Sequence, residues 1–181
     1  MNTPLTDDYY TYEEWAELDD GNRYELLGGE IIMMAPPSTR HQKISGEIFK
    51  QIAVYLDDKP CDVYSAPFGV RLHKKKDTAF QPDITVVCDP SKITEKGCVG
   101  APDLIVEILS SSTARHDKIT KFREYLRAGV KEYWIVNPEE KLVTAYRLKD
   151  GEYVADVYGD DSAPAQVLPG CEIDLAKVFR E

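Results

Sequence analysis

No run of apolar residues in this sequence approaches the ~20 that a membrane-spanning helix needs, so no membrane association is expected. The opening residues, MNTPLTDDYYTYEEW, lack the basic and apolar regions of an export signal, and a cytoplasmic protein is expected. The four cysteines, Cys61, Cys88, Cys98 and Cys171, include no Cys-x-x-Cys pair. That scatter speaks against a zinc module, and without an export signal all four are expected to stay reduced. The three histidines, His41, His73 and His116, do not cluster, which argues against a histidine-built metal centre. Positive charge is also scarce, with 22 Lys and Arg against 32 Asp and Glu and a net charge of −10. A protein that coats nucleic acid without specificity needs the opposite balance.

What is present describes one globular domain over residues 1–181, with 43% hydrophobic residues to build a core. Thr11 to Glu14 spells a capping box and predicts a short helix. Gly28-Gly29 between Tyr24–Leu27 and Glu30–Met34 predicts a hairpin, with Glu25 and Glu30 read as outward-facing strand carboxylates. Thr39 to Gln42 is a second capping box, and Ile44, Ile48, Ile52, Tyr55 and Leu56 recur at helical spacing toward Pro60. Short strands are expected at Cys61–Ser65 and Phe68–Leu72. Phe80–Cys88 and Leu104–Leu109 read as central strands, apolar on both faces. Ser110–Thr113 offers caps for a helix from about Ala114 to Ala128, stopped by Gly129, and Val130–Val136 is a third core strand. Lys149-Asp-Gly151 turns a hairpin between residues 141–148 and 153–158, and a terminal helix is expected over Ile173–Phe179. These elements sum to an α+β fold: a mixed sheet flanked by helices, with added hairpins and a strand–helix–strand crossover at its centre.

Two of the apolar strands each carry one acid, Asp83 and Glu107. A buried carboxylate is costly unless a cation, hydrogen bonds or a metal compensates it. Two acids on adjacent strands suit Mg²⁺ (or Mn²⁺), which takes one or two carboxylates and keeps several waters. The following segment supplies lysines, Lys118 and Lys121. Asp, Glu, Lys and a metal form the set that phosphodiester hydrolysis uses. Structural ion pairs of Asp83 or Glu107 with Lys121 or Arg115 would explain the same residues. Between Ala114 and Lys131 six basic residues stand against two acids, and Arg71–Lys76 is a second basic knot. Each reads either as solvated surface or as a phosphate-contacting face.

Several stretches occur together in order: Arg23-Tyr-Glu-Leu-Leu-Gly-Gly-Glu30, Met34-Ala-Pro-Pro37 with His41, Gln81-Pro-Asp83, Pro102 to Ser110, Asp117-x-x-x-Lys121-x-x-x-Tyr125, and Gly129 to Trp134. In these the chain resembles the Uma-type family of bacterial endonuclease-like proteins, a domain of unknown function, from about Tyr12 to Phe179. That family is similar in fold to the PD-(D/E)XK, restriction-endonuclease-like nucleases. The resemblance implies a Mg²⁺-dependent endonuclease acting on nucleic acid, DNA above RNA, and a homodimer. By position, Pro82-Asp83 is the PD element and Glu107 the second acid, with the carbonyl of Ile108 as a further metal ligand. The superfamily lysine two residues after the second acid is Leu109 here. The resemblance moves that role to Lys121 on the next helix, with Lys118 as its rival. Glu25, His41 and Glu47 remain open as a further acid or a substrate contact. The missing in-strand lysine and the acidic charge support another outcome: a non-catalytic interaction or nucleic-acid-binding module on the same fold.

Overall fold

The computed structural model describes residues 9–74, 76–110 and 117–180, excluding the side chains of Asp117 and Lys118. It is a mixed α+β architecture of three sheets and few helices. The chain opens with α1 (Tyr12–Ala16), whose N-cap Thr11 forms the expected capping box with Glu14. The hairpin of β1 (Tyr24–Leu27) and β2 (Glu30–Met33) turns at Gly28 and Gly29, both at positive φ. The long helix α2 (Thr39–Leu56) begins one residue earlier than its sequence suggests, because the Ser38 hydroxyl, not that of Thr39, accepts the His41 N–H.

Six strands build the central sheet in the order β12-β11-β10-β9-β6-β3. These are β3 (Asp62–Ser65), β6 (Ile84–Val87), β9 (Leu104–Ile108), β10 (Glu132–Asn137), β11 (Leu142–Lys149) and β12 (Glu152–Tyr158). β9 and β10 are parallel, as the crossover predicts, and every residue of β9 is buried. Alternation sorts that strand between two faces. Leu104, Val106 and Ile108 join the α2-side core with Ile44, Ile48 and Ile52. Ile105 turns the other way, to the core of Phe80, Tyr125 and Tyr133.

The peripheral sheet runs β2-β1-β5-β4-β8-β7, adding β4 (Val70–Arg71), β5 (Ala79–Phe80), β7 (Ile93–Thr94) and β8 (Gly97–Val99). A two-stranded sheet pairs β13 (Ser162–Ala165) with β14 (Cys171–Asp174) ahead of a last helical turn at Leu175–Val178. The sequence reading missed β7, β8, β13 and β14, whose runs of two to four residues carry no visible period.

One correction bears on function. Phe80–Cys88 is not one strand. β5 belongs to the peripheral sheet and β6 to the central one, and Gln81-Pro82-Asp83 joins them. Pro82 has no N–H to give a ladder, so the strand breaks there and Asp83 sits at the crossing between sheets.

The cysteine expectation is also corrected. Cys61 and Cys88 form a disulfide, while Cys98 and Cys171 are free and buried. The antiparallel register pairs Asp62 with Val87, which sets the residues flanking that pair opposite each other. The bridge closes a loop 27 residues apart in sequence. Its reduction should cost about 2–4 kcal/mol of stability, by constraint of the unfolded chain. Urea unfolding with and without a reductant measures this, and coincident curves would show that the bond does not form in solution.

Candidate active site

The crossing between sheets gathers the chemistry. Asp83, 14% exposed in its side chain, accepts a hydrogen bond from the Ile108 N–H at 2.8 Å, and its Oδ2 lies 3.1 Å from His41 Nε2. Both contacts fall on Oδ2, and among the described residues Oδ1 takes no hydrogen bond. His41 reaches Asp83 because the Ser38 cap starts α2 at this end of the sheet.

Glu107 shares a face of β9 with Ile105 and so points away from α2. Its Oε1 accepts from Lys121 Nζ at 3.0 Å and from the Tyr125 hydroxyl at 2.8 Å. Lys121 Nζ also lies 2.8 Å from Oε1 of Glu25. Lys121 is 2% exposed, Glu25 2% and Glu107 4%, so one ammonium joins a carboxylate of the peripheral sheet to one of the central sheet in the interior. Burial first, then the nearby Glu107 and Glu25, raises the Tyr125 pKa well above its ordinary value, so the phenol stays a neutral donor.

The segment carrying these groups is not a regular α-helix throughout. Asp117–Lys121 forms a π-helical turn that continues into α3 (Phe122–Ala128). The wider turn shifts the helical phase. Ile119, though apolar, is 44% exposed, while Lys121 and Tyr125 face inward. Gly129, at φ 82°, ends α3 in the left-handed region as predicted.

Other expectations sort as follows. Glu25 is buried rather than outward-facing, whereas Glu30 is exposed as expected. Glu47 stays apart from Asp83: it pairs with Lys50 and accepts from Gln51 at 3.2 Å. The Arg115 position and the Lys118 side chain lie outside the described residues. Within the basic segment, the described cations fall in different settings, with Arg123 exposed. Lys121 is internal, Arg127 pairs with Glu124 at 2.7 Å and Lys131 with Asp103 at 2.6 Å. In the other knot, Arg71 pairs with Glu13 at 3.1 Å and lies over the Tyr12 ring. Arg40, Lys43, Lys141 and Arg180 line a cleft of about 400 Å³ beside the start of α2, with Arg40 paired to Glu139 at 2.8 Å and Arg180 3.9 Å from Glu47. Glu132 is a separate buried acid. Its oxygens accept from Trp134 Nε1 and the Val167 N–H, while burial pushes its pKa up.

The model of the Uma2 family, described as "putative restriction endonuclease", matches residues 7–176. The chain belongs to the Uma2 family. Two uncharacterized Synechocystis proteins, slr1290 and sll1609, are each 26% identical to this Uma2 chain. The alignments cover 77% and 82% of it, and 73% and 80% of those relatives. The crystal structure of a "putative nuclease belonging to DUF820" from Anabaena variabilis shares the fold, with a TM-score of 0.75. It covers 93% of this chain and 97% of its own at 22% identity.

The donor chemistry of this Uma2 site fits a divalent cation of the Mg²⁺ type. Asp83 keeps one oxygen outside its protein contacts, and Glu107 approaches from the neighbouring strand. Among the described residues no three His, Cys, Asp or Glu side chains form an all-protein cage. Mg²⁺ does not need one, because it retains most of its waters. Tyr125, Gln81 and Arg23 were present in the sequence motifs without a role. Tyr125 was legible in hindsight from its spacing of four after Lys121, one helical turn along the same face.

Proposed function

We propose that this Uma2 protein is a Mg²⁺- or Mn²⁺-dependent endonuclease that hydrolyses phosphodiester bonds of nucleic acid, DNA above RNA. The observation that supports this reading is the hydrogen bond from the Ile108 N–H to Asp83, which ties that acid to the residue next to Glu107, itself bonded to Lys121. Asp83, Glu107 and the carbonyl of Ile108 would hold the metal. Bound there, the cation would polarise the phosphate and lower the pKa of an attacking water.

The protein's own groups prepare that site. The Ile108 N–H and His41 hold Asp83 by one oxygen and leave the other for ligation. Tyr125 and Lys121 hold Glu107 in one rotamer, so little reorganisation is left for the reaction. Lys121, deep between two carboxylates, would act by orienting Glu107 and by offsetting negative charge as the phosphate arrives. The basic cleft at Arg40, Lys43, Lys141 and Arg180 would meet the flanking backbone. A second copy would bring a second site to the opposite strand.

One observation favours the other reading, a non-catalytic interaction module. The Glu25–Lys121–Glu107 contacts also form a self-satisfied structural network. Calorimetry with Mn²⁺ separates the two. The wild type should bind Mn²⁺, and Asp83→Asn, folded by circular dichroism, should not. A folded wild type that binds no Mn²⁺ would overturn the nuclease reading in favour of the interaction module.

A further inference from the structure

Arg23 is a cation whose surroundings do not account for it. It precedes β1, and its carbonyl accepts the Met34 N–H, so it extends the hairpin ladder. It stands two residues before Glu25, which puts both on one strand face, their Cα atoms about 7 Å apart. Both also touch Gln81. Arg23 Nε donates to the Gln81 side-chain oxygen at 3.0 Å, and Oε1 of Glu25 accepts the Gln81 N–H at 3.3 Å. Gln81 is two residues from Asp83. Gln81 therefore links the guanidinium to Glu25 and, along the chain, to the Asp83 segment.

Its hydrogen bonding is incomplete. Arg23 is partly buried, the one hydrogen bond of its side chain among the described residues is to a neutral amide, and Nη2 is buried without an acceptor there. No carboxylate pairs with it among the described residues. Arg71 and Arg147 provide the contrast, because each has carboxylate partners despite a buried Nε of its own. A desolvated guanidinium without an anion is costly. The neighbouring ammonium does not make it redundant, since Lys121 lies within 3.0 Å of both Glu25 and Glu107.

We propose that Arg23 is a phosphate-contact residue of this site, its Nη edge taking the non-bridging oxygens of a substrate phosphodiester. Nη2 is covered from solvent, so a phosphate would reach it only as its covering groups move aside. Tethering of Nε by Gln81 leaves the two Nη nitrogens without a protein acceptor among the described residues. That is the geometry in which arginine binds phosphate through two parallel hydrogen bonds. The assignment rests on the nuclease reading above and adds to it the group that recognises the phosphate. It divides the labour of the site: Lys121 serves the protein's acids, and Arg23 serves the substrate's.

The test is equilibrium binding of a labelled DNA duplex, and of an RNA of the same sequence, with Ca²⁺ replacing Mg²⁺ and over a range of salt. Arg23→Gln should weaken binding about tenfold or more. It should also flatten the dependence of log K on log salt by about one, the signature of one lost phosphate contact. Arg23→Lys should keep the salt slope and bind with intermediate affinity, since it retains charge but not the fork. A folded Arg23→Gln with wild-type affinity and slope overturns the assignment and leaves the nuclease reading standing. A wild type that binds neither probe overturns both. Should Arg23→Gln fail to fold, Gln81→Ala carries the test: it releases Nε and should weaken binding severalfold, and unchanged affinity would sink the proposal.

Discussion

Lys121→Met should lose about 3–5 kcal/mol of unfolding free energy, the cost of removing one member of a buried ionic cluster. Methionine matches the lysine stem in length, so the loss is electrostatic rather than a cavity. Glu25 and Glu107, 2% and 4% exposed, would lose the ammonium they share at 2.8 and 3.0 Å. The triple variant Glu25→Gln/Glu107→Gln/Lys121→Met should recover much of that stability, because the charges it would otherwise strand are gone. Urea unfolding of both variants decides the matter. A loss below about 1 kcal/mol in the single variant, the range of exposed pairs, would mean that the lysine does not hold the two sheets as described.

Glu107→Gln should behave in the opposite way. An amide oxygen can still accept from Tyr125 and Lys121, and Lys121 keeps Glu25, so stability should fall by only about 1–2 kcal/mol. On the proposed metal-holding role of Glu107, cleavage of an oligonucleotide should fall on the order of a thousandfold, since a neutral amide replaces the carboxylate. A folded Glu107→Gln protein that cleaves at the wild-type rate would place the chemistry elsewhere or in a contaminant. Together the two variants dissociate roles within a single 3.0 Å contact: the lysine is mainly felt in the fold, the glutamate mainly in turnover.

The parts of this molecule that could be read from sequence are those fixed by local rules. The capping box at Thr11, the Gly28-Gly29 turn, the fully apolar β9 and the Gly129 stop all appear where local chemistry puts them. Asp83 and Glu107 stood out because acids inside apolar runs are conspicuous, whereas Lys121 was named from the family resemblance, with Lys118 as its rival. What escaped is non-local. Alternation says that Glu25 and its neighbours face opposite sides, but not which side is inside, so its burial against Lys121 was misjudged. Phe80–Cys88 looks continuous because both of its sheets are buried, and only Pro82 marks the break. The Cys61–Cys88 bond depends on strand register, which no spacing rule supplies. The π-helical turn moves Lys121 inward by a change of phase that a regular wheel cannot express.

The chain leaves the central sheet after Ser65, visits the peripheral sheet and re-enters at Ile84, and the Lys121 ammonium fastens the two where that excursion ends. Fasteners of this kind respond unequally to ionic strength. Mobile ions screen charges at the surface but hardly reach a lysine that is 2% exposed. Salt strong enough to strip a polyanion from Arg40 and Lys43 should therefore leave the seam between the sheets intact. On the proposed function, the protein would release its nucleic acid long before it loosened its own halves.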